Sequence, residues 1–297
     1  MIALEKAAVA KEKKLLEILG GMESAIVAFS GGVDSAYLAV VAREALGERS
    51  LAVTGESPSY PDYQRRLALE VVERFGLSHR FVRTEEIENP EYLANHPDRC
   101  FHCKSELYTR LKAVLDEGGF RFILDGANAD DRMDFRPGRR AAKLMGVRSP
   151  LEEAELTKAE IRFLSEKRRL PTANEPASAC LASRVPYESR ISIQKLEQVE
   201  KGEEALRRLG FRHMRVRHHD ALARLEFAPG ELSRALSPEM RPRLVEEMKK
   251  LGYRFVTVDL EGYRTGSLNE VLEPSARARG ERSESRSESR GGGAPRH

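Results

Sequence analysis

Short apolar runs alternate with longer amphipathic segments through the first half of the chain. Apolar runs of four or five residues bounded by turn residues predict strands, and apolar residues spaced three and four apart predict helices. The pattern predicts strands over residues 25–29, 50–54, 79–83 and 121–125, and helices over residues 5–19, 36 to about 46, 60–75, 103 to about 117 and 157–167. This β-α-β-α order predicts an α/β fold, with a parallel sheet flanked by helices on both faces.

The second half has a different pattern, which predicts a smaller α+β domain. Two helices are expected over residues 192–209 and 238–251, and three strands over residues 211–218, 221–226 and 254–259. A Pro-, Ala- and Ser-rich connector precedes them, and a Ser-, Arg-, Glu- and Gly-rich end follows with nothing apolar to bury. We therefore expect domains over residues 1–170 and 171–272, and a disordered tail over residues 273–297.

Composition narrows the function classes. The net charge of the 297 residues is only +3, which argues against a global nucleic-acid-binding surface. No apolar run reaches membrane-spanning length, and the N-terminus lacks the apolar core of a signal peptide. We expect a cytoplasmic protein that acts on a small molecule, without a nucleic-acid or membrane partner. Three cysteines, an odd count, argue against a disulfide framework.

A glycine-rich loop joins the first predicted strand to the next helix. Its sequence is Ser30-Gly31-Gly32-Val33-Asp34-Ser35. Free backbone N–H groups and the positive end of the helix dipole would point at one spot, which an anion can approach over the glycines. The loop lacks the Gly-Lys-Ser/Thr of the Walker pattern. A carboxylate at Asp34 would repel phosphate unless a cation intervened, so a Mg²⁺ role is expected for it.

Two further polar loops follow strands at the same edge of the predicted sheet, where ligands of parallel sheets bind. One starts near Thr54, and the other contains Asp125, Asn128, Asp130 and Asp131. Carboxylates and an amide beside a triphosphate suit metal and ribose contacts, although such a loop can also simply cap a helix. Arginines including Arg136 come next. Their guanidinium groups suit pyrophosphate or a carboxylate substrate, and the alternative is a solvated basic loop.

The cysteines point to a metal or redox role that their spacing leaves open. Cys100 and Cys103 form a C-x-x-C pair before a predicted helix, and Cys180 lies far away in the sequence. Three thiolates suit a 4Fe-4S cluster with one open iron, or Zn²⁺ with His102 or His96 as fourth ligand. Separate structural cysteines are the third possibility.

The combined motifs resemble the PP-loop ATP pyrophosphatase superfamily and, within it, the LarE family. The resemblance covers roughly residues 5–269. It rests on six segments: residues 30–35, 99–104, 125–131, 136–138, 156–162 and 180–184. LarE proteins are ATP-dependent sulfur transferases that build the nickel-pincer nucleotide cofactor of lactate racemase. The resemblance implies that ATP adenylates a carboxylate of pyridinium-3,5-biscarboxylic acid mononucleotide, releasing pyrophosphate, and that sulfur then replaces AMP.

The cysteine count separates two branches of that family. The best-known branch has one cysteine, at the position of Cys180, which gives up its sulfur and becomes dehydroalanine. Here Cys100 and Cys103 are added, so the resemblance is to the three-cysteine branch, in which a 4Fe-4S cluster carries an extra sulfide. It also implies a higher homo-oligomer and a supply of sulfide or another sulfur donor. The alternatives are Cys180 as a sacrificial sulfur donor, a tRNA thiolase of the same superfamily, and a non-catalytic nucleotide-binding or zinc protein.

The second half supplies candidates for the phosphate of the substrate nucleotide. Strand alternation places Arg215 and Arg217 on one face, where two guanidiniums can clamp a phosphate or form only a polar outer face. Ser183 and Arg184 beside Cys180 are further candidates. With Asp34 and Cys180, Glu200 is a candidate catalytic residue, although Glu200 and Glu226 can equally be surface charges.

Overall fold

The computed structural model describes residues 2–133, 137–176, 179–264 and 266–272. The strands of this part of the chain are β1 Ala25–Ala28, β2 Ser50–Glu56, β3 His79–Arg83, β4 Phe122–Leu124, β5 Met214–His219, β6 Leu222–Phe227 and β7 Phe255–Val258. Its helices are α1 Ile2–Gly20, α2 Val33–Leu46, α3 Asp62–Phe75, α4 Pro90–Ala94, α5 Arg99–Gly118, α6 Pro137–Leu144, α7 Pro150–Glu153, α8 Lys158–Lys167, α9 Ile193–Arg208, α10 Pro229–Ala235 and α11 Met240–Lys250.

The first sheet has four parallel strands in the order β3-β2-β1-β4. Helices cover both of its faces: apolar residues of α1, α2 and α8 pack on one side, and those of α5 and α6 pack on the other. The predicted parallel α/β sheet with flanking helices is therefore confirmed. In α2 apolar residues occur on nearly every side and ten residues are buried, so this helix lies inside the domain rather than on its surface.

Local sequence signals set several helix ends. As predicted, α3 follows Pro61 and ends at Gly76, whose φ of 59° is left-handed. Thr157 caps α8 through a capping box, because its hydroxyl accepts from the backbone N–H of Glu160 while the Glu160 carboxylate accepts from the Thr157 N–H. By contrast α5 begins at Arg99, four residues before the predicted start, so both C-x-x-C cysteines lie at the beginning of this helix.

The second sheet has three strands in the order β5-β6-β7, with β5 and β6 antiparallel and β6 and β7 parallel. A separate apolar core lies between this sheet and residues of α9, α10 and α11. The predicted small α+β unit is thus present. Its proposed boundary at residues 170/171 stays a prediction, as does the tail, which lies outside the described residues.

A small apolar cluster joins the two halves of the molecule. Tyr92 of α4 packs with Leu181, Ala182 and residues of the α9 region, and Cys103 and Cys180 pack against the same cluster. Asn95 strengthens this junction, since its buried amide donates to the carbonyl oxygens of Val185, Pro186 and Ser189. Within the described ranges, helices that are long and apolar enough to cross a membrane are absent.

Candidate active site

The glycine-rich loop closes on itself through serine hydroxyls. The Ser30 and Ser35 hydroxyl oxygens are 3.0 Å apart, and the Ser35 hydroxyl oxygen also accepts from the Ser30 N–H at 3.2 Å. The Ser35 hydroxyl lies 3.1 Å from the Gly32 carbonyl oxygen, to which it can donate. These contacts fix a tight turn between β1 and α2. The beginning of α2 therefore faces the carboxyl-terminal edge of the first sheet, where its positive dipole end favours an anion.

Two glycines are required by close approach of the backbone. Gly31 has a φ of +70°, and a Cβ atom there would lie 2.8 Å from the Cβ of Ala68. Gly126, in the loop after β4, packs on the first turn of α2, where a Cβ atom would lie 3.0 Å from the Ser35 nitrogen. The loop after β4 and the glycine-rich loop consequently lie side by side.

Asp34 is the acidic group at the centre of this edge. Its carboxylate accepts from the Lys158 ammonium at 2.5 Å and from the Asn128 amide at 3.4 Å. The side chain of Asp34 remains 23% exposed, so the carboxylate is still accessible to a ligand. A carboxylate that is held by a lysine and an amide next to a phosphate loop is suited to binding a divalent cation.

The other acidic residues after β4 are engaged mainly in holding their own loop. Asp125 accepts from Ser149, Tyr108 and the Ala127 N–H. Asp131 accepts from the Asn128 N–H at 3.0 Å, and Asp130 accepts from the Lys158 N–H at 2.8 Å, which caps the start of α8. These bonds keep Asn128 directed at Asp34. Direct contact of the three aspartates with a nucleotide or metal stays a prediction.

Thr54 and the arginines after residue 131 occupy different environments. The Thr54 side chain is buried and donates to the Phe29 carbonyl oxygen at 2.7 Å, so it fixes the end of β1. Arg132 and Arg139 both form ion pairs with Glu152. Arg136 lies outside the described residues, and its role in binding pyrophosphate stays a prediction.

A short loop after β2, residues 57–60, connects the phosphate loop with the Cys180 segment. The Tyr60 hydroxyl donates to the Ser30 carbonyl oxygen at 3.1 Å. The neighbouring residue of this loop contacts the other segment, because the Leu181 N–H donates to the Ser59 carbonyl oxygen at 2.9 Å. The segment that carries Cys180 therefore lies directly against a loop that touches the phosphate-binding turn.

The three cysteines lie in one region. Cys100 and Cys103 are at the start of α5, and Cys180 immediately precedes a 3₁₀ turn at Leu181–Arg184. Cys103 and Cys180 are half-buried against the same apolar cluster. Burial, and then the negative charges of Glu86 and the other two cysteines, raises the pKa of the Cys103 thiol well above its ordinary value. The thiols are thus close enough to act on one another electrostatically.

Arg99 is the main positive group beside these thiols. Its guanidinium is buried and donates to the Ala182 carbonyl oxygen at 3.0 Å and to the Asn95 side chain. Burial lowers the pKa of Arg99, but negative charge at Cys180 and Cys100 outweighs this and the pKa lies above its usual range. Within the described ranges of the chain, the Arg99 Nε atom is buried without a hydrogen-bond partner. An anionic group among the cysteines would find this donor in place.

We tested whether these residues fit a metal or an iron–sulfur group. Among the residues that the structure describes, three or more His, Cys, Asp or Glu side chains do not come together in a metal-binding arrangement. The donor set itself fits, because three thiols suit iron and the free Arg99 Nε suits an anionic cluster. Binding by all three thiols would therefore require a rearrangement of the cysteine region.

Two candidate arginines of the second half, Arg184 and Arg217, are buried and already paired with carboxylates. Arg184 makes a two-point ion pair with Glu203 at 2.8 and 3.0 Å, and Arg217 makes one with Glu226 at 2.8 and 2.9 Å. Both faces of β5 are covered, so the alternative of a polar outer strand face is wrong. Glu226 is 1% exposed, which likewise excludes a surface charge.

The remaining second-half candidates lie around these pairs. Burial and the charge of Arg184 lower the pKa of Arg215 to about 10. Ser183 is bonded to Arg184 and, through its carbonyl oxygen, to Arg217. Such a concentration of buried guanidinium groups suits an anion, and phosphate binding by Ser183, Arg184, Arg215 and Arg217 stays a prediction.

Glu200 caps a helix of the other half. Its carboxylate accepts from the Asp62 N–H at 2.7 Å, at the first residue of α3, and burial raises the pKa of Glu200. It lines a groove of about 450 Å³ between α3, α9 and α11. Its catalytic role stays a prediction.

The sequence analysis missed three residues that the structure places at the site: Lys158, Glu203 and Glu86. Lys158 carries a weak signal, because it follows the capping threonine of a predicted helix. Glu203 and Glu86 are 1% and 3% exposed, and nothing in their sequence surroundings separates them from surface glutamates.

Comparison with known proteins agrees with this architecture. A family model described as NAD synthase matches residues 12–107. The uncharacterized protein slr1717 of Synechocystis sp. is 40% identical over 262 residues, which is 88% of this chain and 98% of that protein. The pyridinium-3,5-bisthiocarboxylic acid mononucleotide synthase of Lactiplantibacillus plantarum is 32% identical over 263 residues, 88% of this chain and 95% of that enzyme. The uncharacterized protein MJ0830 of Methanocaldococcus jannaschii is 26% identical over 259 residues, with 85% and 98% covered.

A parallel sheet with a phosphate-binding turn between β1 and α2 defines an ATP-using protein of the PP-loop pyrophosphatase class. Within that class, the match over nearly the whole length of the Lactiplantibacillus synthase means that the chain belongs to the LarE family.

Proposed function

We propose that the protein is an ATP-dependent sulfur transferase of nickel-pincer nucleotide synthesis. Its substrate would be pyridinium-3,5-biscarboxylic acid mononucleotide, one carboxylate of which becomes a thiocarboxylate. The name of the Lactiplantibacillus relative supports this substrate. The structural observation that carries the proposal is the bond from the Leu181 N–H to the Ser59 carbonyl oxygen, because it puts the Cys180 segment beside the phosphate-binding edge.

The first step would take place at the phosphate loop. A substrate carboxylate oxygen bonds to the α-phosphorus of ATP, the bond to the β-phosphate oxygen breaks, and pyrophosphate leaves. The turn at residues 30–35 would hold the phosphates through backbone N–H groups and the α2 dipole. Asp34, beside Asn128 and Lys158, would hold Mg²⁺ against the leaving phosphates. These groups contribute position and charge stabilisation.

The second step would use the cysteine region. Sulfur bonds to the acyl carbon and AMP leaves with the bonding electrons. Cys100, Cys103 and Cys180 would hold a 4Fe-4S cluster, and the cluster would supply the sulfide. Arg99 would balance its negative charge through the free Nε atom. The alternative is that Cys180 gives its own sulfur and becomes dehydroalanine.

The other proposed roles complete the site. The buried arginines beside Ser183 would hold the substrate phosphate, and Glu200 would act at the groove between the halves. The sulfur would come from sulfide or a donor protein, and we expect a cytoplasmic homo-oligomer.

The test is anaerobic reconstitution with iron and sulfide, followed by iron counting, an EPR spectrum of the reduced protein and an assay of pyrophosphate release with the dicarboxylate nucleotide. We expect about four irons per chain, lost in Cys180→Ala, because a three-cysteine cluster needs each thiol. Thiocarboxylate product should form in many turnovers per chain.

Three other results would change the proposed sulfur route, substrate or activity. Stoichiometric zinc, or one turnover with dehydroalanine at position 180 by mass spectrometry, would exclude the cluster route. Failure to release pyrophosphate with the dicarboxylate nucleotide, when ATP still binds, would reject the proposed substrate. Thiolation of tRNA instead would identify the superfamily's other activity.

A further inference from the structure

Glu86 is a buried acid at the junction of the nucleotide edge and the cysteine region. It begins a short 3₁₀ turn, Glu86–Glu88, after β3, and its side chain is 3% exposed. One carboxylate oxygen, Oε1, accepts from the Ser57 hydroxyl at 2.5 Å and from the Ser59 hydroxyl at 2.8 Å. Both serines belong to the loop at residues 57–60. Glu86 therefore holds this loop through two hydrogen bonds, one from each serine hydroxyl.

The second carboxylate oxygen of Glu86 lowers the stability of the folded protein. The Oε2 atom is buried and has no hydrogen-bond partner within the described part of the chain. An unsatisfied buried acceptor costs about 1–3 kcal/mol, and more where it is charged. Burial, and after it the negative charges of Cys180, Cys103 and Glu86, raises the pKa of the neighbouring Tyr92 phenol. An acid that keeps one buried oxygen unsatisfied lowers the stability of the fold, so its presence here points to a functional requirement.

The loop that Glu86 holds touches both reaction sites. At one end the Tyr60 hydroxyl donates to the Ser30 carbonyl oxygen of the phosphate-binding turn. Next to it, the Ser59 carbonyl oxygen accepts from the Leu181 N–H, one residue after Cys180. A continuous set of hydrogen bonds thus runs from Ser30 through this loop to the Cys180 segment.

We propose that Glu86 is a positioning residue that couples nucleotide binding at residues 30–35 to the placement of Cys180, by holding the loop at residues 57–60. This inference rests on the proposed function, because it concerns how the adenylation site and the sulfur site are positioned relative to each other. Nucleotide phosphates that tighten the turn at Ser30 would pull on Tyr60. Since Ser57 and Ser59 are fixed to one carboxylate oxygen, the loop would move as a unit and carry Leu181 with it.

A carboxylate suits this task better than its amide. Hydrogen bonds to an ionised acceptor are roughly twice as strong as neutral ones, so Glu86 holds both hydroxyls firmly. Glu86→Gln keeps the shape and one acceptor oxygen but weakens both bonds. The substitution should therefore loosen the loop without removing it.

The experiment measures the alkylation rate of Cys180 in the full-length protein by mass spectrometry, with and without Mg²⁺ and the non-cleavable analogue α,β-methylene-ATP. In the wild type we expect the analogue to change the rate about fivefold, the lower range of allosteric coupling. In Glu86→Gln the ratio should fall toward one, while the affinity for the analogue is retained. Loss of coupling with retained binding is a readout that a purely structural role would not produce.

Matched variants complete the test. Glu88→Gln, at an exposed position of the same turn, should keep the wild-type ratio. Tyr60→Phe removes the hydroxyl that reaches Ser30 and should abolish coupling as Glu86→Gln does. If Glu86→Gln does not fold, Tyr60→Phe and Ser59→Ala test the coupling instead, and in both the ratio of alkylation rates should fall toward one.

A wild-type ratio of one, or a ratio that survives in Glu86→Gln or in Tyr60→Phe, would overturn the inference. The labelling needs no turnover, so it is independent of whether pyrophosphate is released or which carboxylate nucleotide is the substrate. Failure of the proposed function and failure of this inference are therefore read from different measurements.

Discussion

The ammonium of Lys158 lies 2.5 Å from the carboxylate of Asp34. Lys158 is the first residue of α8, and the capping box of Thr157 and Glu160 fixes that end of the helix. The side chains of Lys158 and Asp34 are 31% and 23% exposed. Lysine thus occupies one side of the acid that we assign to Mg²⁺, and a metal would have to share or displace it.

Asp34→Asn should lower the rate of pyrophosphate release about 100-fold, the usual effect of removing one electrostatic group from such a site. The amide keeps the shape but supplies no charge for Mg²⁺ and leaves Lys158 unpaired. The measurement is a coupled pyrophosphate assay at several Mg²⁺ concentrations. Asp116→Asn, at an exposed position of α5, is the control and should behave as the wild type. An unchanged Mg²⁺ dependence in Asp34→Asn would exclude Asp34 as a metal ligand.

Gly31→Ala should weaken ATP binding by at least about tenfold, which corresponds to 1.4 kcal/mol. The new Cβ would lie 2.8 Å from the Ala68 Cβ, so the phosphate turn must shift. Calorimetric titration with the non-cleavable ATP analogue measures the effect. Gly47→Ala is the matched control, since Gly47 has a φ of +60° but open space at its Cβ position. It should lower stability without changing ATP affinity, and equal losses of affinity in the two variants would refute a specific role for Gly31.

Glu203→Gln should reduce the free energy of unfolding at pH 7 by about 3 kcal/mol, because it leaves the buried Arg184 without its counter-charge. Urea denaturation followed by circular dichroism measures the change. Replacing both partners, Arg184→Met with Glu203→Met, should restore much of the loss, since two apolar side chains need no charge partner. If the double variant is as unstable as the single one, the cost does not come from the unpaired charge.

The same pair should show a defined pH dependence. Burial alone would raise the pKa of Glu203, but the charges of Arg184 and Arg215 outweigh it and lower the pKa from 4.5 to about 2. A lowered folded-state pKa means that the stabilisation is complete above pH 4.5 and is lost as the pH falls toward 2. Between those values the wild type should lose stability faster than Glu203→Gln. Parallel curves for the two proteins would contradict this assignment.

Cys103→Ser should separate the two steps of the proposed reaction. The thiol belongs to the region that we assign to the cluster and is not part of the turn at residues 30–35, so pyrophosphate release should persist while iron binding is lost. Iron counting and the pyrophosphate assay on the same preparation test this. Cys100→Ser should behave alike. Full iron content in either variant would remove that cysteine from the ligand set.

The first sheet could be predicted because β1, β2 and β4 contain short buried apolar runs, while β3 is a short half-exposed segment between turn residues. The start of α5 could not, because Cys100, Phe101 and His102 have weak helix propensity, and this turn is stabilised by the packing of Phe101 against the core of α5 and α6 and of Cys103 against the cluster around Tyr92. Tertiary packing, which local sequence does not contain, decided that boundary.

The site divides in the same way. The turn between β1 and α2 was predictable, because two glycines between hydroxyl residues after an apolar run favour a tight strand-to-helix connection; its binding of phosphate stays a prediction. Strand alternation gave the shared face of Arg215 and Arg217, but not that the face is buried or that Glu203 and Glu226 would neutralise its arginines. Those partners come from other elements of the fold, and glutamates on a helix look alike whether they face water or an arginine.

Cys180 is held from both halves of the molecule, whereas Cys100 and Cys103 belong to one. The Leu181 N–H donates to the Ser59 carbonyl oxygen of the first half. In the second half, Arg184 is ion-paired with Glu203 of α9 and donates to the carbonyl oxygens of Ala179 and Cys180. A group bound by all three thiols would therefore cross-link the two halves of the molecule. Trypsin should cut the connector at residues 171–186 more slowly once iron is loaded, and equal rates would refute this. If trypsin does cut more slowly, the iron content of a preparation would determine how rigidly its two halves are connected.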